Sequence, residues 1–133
     1  MLFRSPVPPA GAAATVANGW LNVLRATTYT GITNLYVKLH TGDPGAAGAN
    51  AASAVTTRNA LTLGAPSGGS CTLSSLAGYS MTTSETISHV SVWDASSAGN
   101  FLMSGALSVS KAVNNGDTLT FNSFTVSITP VAA

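Results

Sequence analysis

The stretch TISHVSVWDASSAGNFLMSGALSVS, residues 86–110, decides the fold of this chain. Residues 86–93, TISHVSVW, alternate between apolar and polar side chains, which is the pattern of a half-buried β-strand. Val90 and Val92 are predicted to point inward. The next segment, Asp94–Asn100, consists mostly of small and polar residues and predicts a turn.

The chain is predicted to return in a second strand after this turn. Phe101–Met103 begins the strand and Ala106–Ser110 continues it, with Gly105 as the expected place of a bulge or tight bend. The sequence NNGD at Asn114–Asp117 is a strong hairpin signal. The pattern therefore predicts consecutive antiparallel strands.

The apolar residues of the last strand form two sets of opposite parity. These sets are Leu119 and Phe121, then Phe124, Val126 and Ile128. A continuous strand would place them on opposite faces. We therefore expect either a bulge near Asn122–Ser123 or a strand that is covered on both faces.

Three more strands are predicted upstream. Residues 34–40 alternate, with Leu35, Val37 and Leu39 on one face and Tyr36, Lys38 and His40 on the other. Thr41–Gly45 has strong turn chemistry. Residues 55–63 alternate again, and a weaker strand is predicted at Ser70–Leu76.

One helix is predicted near the amino terminus, over residues 12–27. Its apolar positions recur at spacings of three and four, at Val16, Trp20, Val23, Leu24 and Thr27. We expect this apolar stripe to dock on the sheet.

These elements predict a mostly β fold: an antiparallel, jelly-roll-like β-sandwich with one N-terminal helix. Short strands at regular spacing favour this class. We expect residues 12–133 to form a single domain, preceded by an extended Pro-rich arm over residues 1–11.

The arm supplies the candidate assembly contacts. Pro6, Pro8 and Pro9 exclude regular helix and disfavour sheet, so an extended arm or a disordered terminus is expected. We predict that the arm contacts neighbouring subunits through Phe3, Arg4, Pro6, Pro8 and Pro9.

The composition argues against several classes of partner. Only 7% of the residues are charged, and the net charge is +1, so a nucleic-acid partner is not expected. No apolar run has the length of a membrane helix, and the N-terminal sequence lacks the apolar core of a signal peptide. Weak charge suits a subunit that lives in an assembly, because a free monomer has little colloidal repulsion.

The sequence offers no convincing catalytic or metal site. His40 and Asp43 could form a triad with a serine, but no nucleophile-elbow motif supports this, and we expect Asp43 to cap a turn while His40 faces solvent. His89 and Asp94 are a second candidate pair, with His89 expected on the outer face or at a subunit contact. Neither zinc spacing nor a phosphate loop is present, the single Cys71 forms no intrachain disulfide, and no cofactor is predicted.

A carbohydrate-binding surface is the main alternative that the aromatic residues offer. Five large aromatic side chains could stack on sugars: Trp20, Tyr29, Tyr36, Tyr79 and Trp93. Core and interface packing is the commoner role of such residues. Glycan binding therefore stays an alternative that no clustered motif supports.

Two segments of the chain resemble a family of small tailed-phage virion proteins, of actinophage type and others. The first is Tyr36–Gly48, which is similar to the pattern Y-V-x-L-H-T-x-D-P-G-x-x-G and is followed by Arg58 before an aliphatic strand. The second is ISHVSVWDASSAGNFLMSGALSVSKAVNNGDTLTF, from residue 87 to residue 121. Its matching residues are Ile87, His89, Trp93, Asp94, Gly99, Phe101, Leu102, Gly105, Leu107, Lys111, Gly116 and Asp117. A preceding Trp20-Leu21 pair is similar as well, so the resemblance covers about residues 16–128.

Members of that family are usually labelled minor tail or tail-fibre proteins. The resemblance implies a non-enzymatic structural subunit of the virion, assembled in the host cytoplasm, with other virion proteins as partners and a homo-oligomeric state. A capsid decoration protein is the alternative that the arm suits equally well, followed by a host glycan-binding module. A hydrolase is the fourth class, and it would need a catalytic constellation that the sequence does not present.

Overall fold

The computed structural model describes residues 11–28 and 30–128. The elements are α1 (Ala14–Leu24), β1 (Leu35–His40), β2 (Asn59–Leu63), β3 (Ser70–Leu76), β4 (Tyr79–Ser80), β5 (Glu85–Trp93), β6 (Phe101–Val113), β7 (Thr118–Leu119) and β8 (Thr125–Ser127).

Six strands form one antiparallel sheet in the order β6-β5-β1-β2-β3-β8, while β4 and β7 form a two-stranded antiparallel sheet. In the centre of the large sheet, β1 and β5 pair with Leu39 opposite Val90 and His40 opposite His89. The predicted mostly β, antiparallel class is therefore confirmed.

The hydrophobic core lies where the small sheet meets the large one. The Tyr79 hydroxyl of β4 donates a 2.7 Å hydrogen bond to the carbonyl oxygen of Val37 in β1. Burial raises the pKa of the Tyr79 phenol above its usual range. The buried apolar residues are Val16, Val37, Leu39, Val55, Leu61, Tyr79, Met81, Ile87, Val90, Val92, Leu102, Val113 and Leu119. This arrangement is sandwich-like, as predicted, and Val90 and Val92 point inward.

The pairing of β5 with β6 contains a large irregularity. Gly105 pairs with Val90 in regular register, so the bulge expected at Gly105 is wrong. A Cβ atom at Gly105 would meet nothing within 4 Å, and no close approach requires glycine there. The register shifts after Ala106 instead, where Leu107–Ser110 of β6 face only Ser88 of β5.

The Asn114–Asp117 segment forms the expected turn but not the expected hairpin. Asn114 N–H donates to Asp117 Oδ2 over 2.8 Å, which closes the turn. The strand that follows, β7, pairs with β4 and not with β6. The local signal specified the turn correctly, whereas the pairing partner depends on Leu119 reaching the core opposite Tyr79.

The predicted last strand is two strands in different sheets. β7 belongs to the small sheet, and β8 pairs with β3 through Cys71 opposite Val126. The opposite parities of the two apolar sets thus result from a crossing between sheets. Both structural expectations for a single strand, a bulge or coverage on both faces, are wrong.

The helix is shorter than predicted because its expected first residues pair with β6. Ala12 bridges Met103, Ala13 N–H donates to the Leu102 carbonyl oxygen over 2.6 Å, and Ser104 N–H donates to the Gly11 carbonyl oxygen over 3.0 Å. The helix therefore begins at Ala14. Beyond its end at Leu24, Ala26 has a φ of 55°, which interrupts helical geometry.

Candidate functional site

Three side chains form a buried chain of hydrogen bonds between β1 and β5. Trp93 Nε1 donates to Ser91 Oγ over 2.8 Å, and Ser91 Oγ lies 2.7 Å from His40 Nε2. His40 Nδ1 lies 2.8 Å from the carbonyl oxygen of Asn50. A carbonyl oxygen only accepts, so Nδ1 carries the proton, and the neutral ring accepts the Ser91 hydroxyl proton at Nε2. The direction of every hydrogen bond in the chain is thereby determined.

Burial also keeps the His40 ring neutral. Desolvation is the largest cause that lowers the pKa of His40, and the hydrogen bond to Asn50 only partly opposes it. The positive charge of Lys38 and the neighbouring His89 lower the pKa of His40 further. A neutral ring is the form that the hydrogen-bond chain requires.

His40 was expected to face solvent, and this expectation is wrong. The side chain is fully buried because the segment after β1 folds back over the end of the strand. Thr41 N–H donates to the Ala51 carbonyl oxygen over 2.8 Å, and Ser53 N–H donates to the Leu39 carbonyl oxygen over 3.1 Å. We call residues 41–55 the covering segment.

Glu85 of β5 fixes the far end of the covering segment. Its carboxylate accepts hydrogen bonds from the Ser53 hydroxyl and, over 3.2 Å, from Ala54 N–H. Ser53 Oγ in turn accepts from Val55 N–H over 3.0 Å. The described structure thus gives this acid a positioning role toward the covering segment.

Asp43 caps its turn, as expected. Gly45 N–H donates to Asp43 Oδ1 over 3.0 Å, and Gly45 has a φ of 71°, a conformation that favours glycine. Both ring nitrogens of His40 are used by Asn50 and Ser91, so the suspected pairing of His40 with Asp43 does not form.

A cation–aromatic stack lies beside this network. The Arg58 guanidinium lies 3.8 Å from the Trp93 ring centroid, and Trp93 meets Phe101 edge-on at 5.6 Å between centroids. Arg58 Nη1 also donates to the carbonyl oxygens of Ala95 and Ala98, over 3.1 and 2.6 Å. Arg58, which directly precedes β2, therefore connects the start of that strand to the turn between β5 and β6.

The covering segment also approaches the Phe101 ring, through Gly48. Gly48 has a φ of 69°, and a Cβ atom there would overlap the Phe101 ring. Glycine is the residue that permits this approach.

Asp94 organises the turn between β5 and β6. Its carboxylate accepts from the backbone N–H and the side-chain amide of Asn100, each over 2.7 Å. These hydrogen bonds lower the pKa of Asp94. His89 is half-buried, and its Nδ1 lies 2.9 Å from Ser88 Oγ. Because Asp94 bonds to Asn100, the suspected pairing of His89 with Asp94 does not form.

The Ser91–His40 contact invites comparison with a catalytic pair, but its setting is different. Ser91 is fully buried, and its oxygen already accepts from Trp93. Where a triad has a carboxylate, this histidine meets the backbone carbonyl of Asn50. The arrangement therefore holds β1, β5 and the covering segment together and presents no nucleophile to a substrate. Sequence reasoning missed it because His40 and Ser91 are 51 positions apart.

Residues 11–28 and 30–128 contain neither a metal-binding cluster nor a membrane-spanning helix. In those ranges no group of three or more histidine, cysteine or acidic side chains could hold a metal ion. Nor does any helix there have the length and apolarity to cross a bilayer. Cys71 is a half-buried thiol on β3.

The structure brings only Tyr36 and Trp93 together among the described aromatic residues that could stack on sugars. Tyr79 is buried in the core, Trp20 lies on α1, and Trp93 is covered by Arg58. Tyr36 is the cross-strand neighbour of Trp93. Tyr29 lies outside the described residues.

The carboxyl-terminal half of α1 exposes apolar side chains. Val16 and Gly19 are buried, but Trp20 is 38% exposed and Leu24 is 82% exposed. The predicted docking of the whole stripe on the sheet is therefore wrong. We call Trp20, Leu21, Val23 and Leu24 the helix patch; all four are exposed. The predicted arm contacts, Phe3, Arg4, Pro6, Pro8 and Pro9, lie outside the described residues.

Comparisons with known proteins give one result. A family model described as podophage GP4 fiber I protein gp80 matches residues 11–129. A search of curated proteins finds no match. The matched range contains every residue of the buried hydrogen-bond chain, the arginine stack and the helix patch.

Proposed function

The chain belongs to the podophage GP4 fiber I protein gp80 family, and from this premise we propose that it is a non-enzymatic tail-fibre subunit that assembles with copies of itself. Membership makes it a tailed-phage virion protein of the fibre type. Its work would be mechanical: to fold rigidly and to bind its neighbours in the virion. The other virion proteins of the fibre are its proposed partners.

The helix patch is the observation that carries this proposal. The apolar stripe of α1 continues from the buried Val16 to Trp20, Val23 and Leu24, so one continuous surface is half covered and half exposed. Contiguous exposed apolar surface marks interaction sites in soluble proteins. We propose that the helix patch of a second copy covers it.

The low charge of the chain supports self-association. Four acidic and five basic residues leave a net charge of +1, so copies of the chain repel each other weakly. Arg25 is the charged residue next to the helix patch. Little electrostatic repulsion therefore opposes two helix patches that approach each other.

The absence of enzymatic activity is part of the proposal and rests on Ser91 and His40. Both are fully buried, so the Ser91–His40 contact has no path to a substrate. An Ser91→Ala virion that adsorbs and infects like wild type, once its folding is verified, would agree with this. Loss of a measurable hydrolytic activity in that virion would contradict it.

The oligomeric state of the purified protein tests the helix patch. We expect wild type to sediment as a multimer and the double variant Trp20→Gln/Leu24→Gln to shift toward monomer. Ile128→Gln is the matched control, because it makes the same change at another exposed aliphatic residue, 58% exposed and next to β8. A monomeric wild type, or a double variant that associates as wild type does, contradicts the proposal.

Immunogold labelling of intact particles tests the place of the subunit. We expect label on the tail fibres. Label on the capsid shell would instead favour a decoration protein that uses the same self-association.

We further propose that the arm contacts neighbouring subunits through Phe3, Arg4, Pro6, Pro8 and Pro9. Deletion of residues 1–10 should leave the unfolding transition unchanged and weaken association. Gly11 is retained in this variant because its carbonyl oxygen pairs with Ser104. Loss of the unfolding transition would mean that the arm belongs to the core.

A further inference from the structure

The large sheet ends in two edge strands of very different length. β8 has 3 residues, whereas β6 has 13. Within the described ranges, the outer side of β6 is paired only at Leu102–Ser104, by Gly11–Ala13. The rest of that edge, from Gly105 onward, presents backbone groups without a described partner.

The orientation of these groups follows from the pairing already present. Ser104 N–H and the Leu102 carbonyl oxygen both point outward, toward Gly11 and Ala13. The register with β5 stays regular as far as Ala106, so the N–H and carbonyl of Ala106 also point outward. Ala106 and Ser108 are exposed. No charged side chain lies within residues 105–110, and an uncharged open edge is suited to accept an added strand.

The arm of the same chain cannot simply extend this ladder. Ala12 lies opposite Met103, so an antiparallel continuation would place Pro9 opposite Ala106. Pro9 has no N–H group to donate to the outward Ala106 carbonyl oxygen. Pro8 and Pro6 lack an N–H group as well. The next stretch of consecutive residues with backbone N–H groups is Leu2–Ser5, which precedes Pro6.

We propose that the β6 edge of one copy, centred on Ala106, receives Leu2–Ser5 of a second copy as an added strand. This inference rests on the proposed self-assembly and specifies which surfaces exchange. Residues 6–10, which would link the added strand to Gly11, span at most ~18 Å when extended, so the exchange requires two subunits in direct contact. Val109, which is 78% exposed beside the edge, offers an apolar contact to the incoming strand.

Directed disulfide cross-linking between two chains tests the exchange. Both chains carry Cys71→Ser; one also carries Arg4→Cys and the other Ala106→Cys, at the centre of the proposed pairing. We expect the oxidised mixture to give a two-chain species on a non-reducing gel. The control partner carries Thr125→Cys on β8, the other edge of the sheet, and should give little cross-linking.

A single chain that carries Arg4→Cys and Ala106→Cys, again with Cys71→Ser, separates the two possible sources of the arm. Cross-links between chains support the proposal. A cross-link confined within one chain overturns it, because the arm would then lie on its own β6. Preferential cross-linking to the β8 position also overturns it.

A matched pair of substitutions tests the backbone hydrogen bonds. Ala106→Pro removes the outward N–H, and we expect association to weaken by about fivefold or more. Ala106→Thr keeps that N–H on an exposed strand position and should associate as wild type does. Because proline could disturb β6 itself, the unfolding transition of both variants is measured, and the cross-linking result stands independently of it.

The outcomes separate this inference from the proposed function. If wild type forms multimers, yet neither the cross-link nor the Ala106→Pro effect appears, the strand exchange is wrong and the fibre-subunit proposal stands. If wild type is monomeric in solution, both the strand exchange and the proposed self-assembly are wrong.

Discussion

The covering segment and the helix patch differ both in the size of their residues and in what they bury. The covering segment is built mostly of small residues, yet it buries a histidine and a serine, and each of their polar atoms has a defined partner. The helix patch is built of large apolar residues and leaves them in solvent. No buried side-chain nitrogen or oxygen of the described residues lacks a hydrogen bond. The comparison teaches that the described interior pairs its polar atoms within one chain, whereas the helix patch is the surface that the proposed self-association would cover.

The largest expected effect breaks the packing under the covering segment. Leu39 is fully buried in β1, so Leu39→Ala should lower the free energy of unfolding by about 2–5 kcal/mol. Urea denaturation followed by tryptophan fluorescence measures it. A loss below about 1 kcal/mol would mean that this side of the core is loosely packed.

A smaller effect comes from the hydrogen-bond chain. Ser91→Ala leaves His40 Nε2 and Trp93 Nε1 without their partner, which should cost about 1–3 kcal/mol of unfolding free energy. Ser74→Ala, at an exposed position in β3, is the control and should be nearly neutral. Equal effects of the two substitutions would show that the chain of hydrogen bonds adds no stability.

Acidification should loosen the same network. The folded state lowers the pKa of His40, so below about pH 6.5 the unfolded chain binds a proton that the folded chain resists. Stability is therefore greatest above that pH and falls as the pH falls toward the folded-state pKa. Denaturation at pH 7.5 and pH 5 measures the loss, and His40→Gln should reduce its dependence on pH. A wild-type protein that is more stable at pH 5 would contradict the assigned neutral ring.

The smallest effect is expected at the helix patch. Leu24 is 82% exposed, so Leu24→Ala should change monomer stability by no more than about 0.5 kcal/mol. The measurement is denaturation at a protein concentration at which the chain is monomeric. A large loss under those conditions would place the patch in the core of the monomer and remove the contrast with Leu39.

Local patterns predicted much of this architecture correctly. The strand at Leu35–His40 and the inward Val90 and Val92 were confirmed, as were the bounds of Ser70–Leu76. The tailed-phage family expected from the motif residues was confirmed too. These features depend on neighbours in sequence or on the order of several motifs, and both are readable without coordinates.

The failures concern choices between distant partners. The helical stripe at Trp20 was recognised, but its periodicity does not say what covers it, and the sheet reaches only Val16 and Gly19. The turn at Asn114–Asp117 was recognised, whereas the pairing of β7 with β4 was not. The burial of His40 depends on Asn50 and Ser91, and Ser91 lies on a strand that no local pattern connects to it.

The order of strands in the large sheet has a mechanical consequence. Gly11–Ala13 is attached to β6 at one edge, and β8 ends near Ile128 at the other. A pull between Gly11 and Ile128 therefore crosses the ladders of all six strands in series. Such a load would peel the outermost pairs first, Gly11–Ala13 from β6 or β8 from β3, and spare the central β1–β5 pair with its buried histidine. A subunit that yields at its rims and keeps its centre can recover its shape once the tension is released.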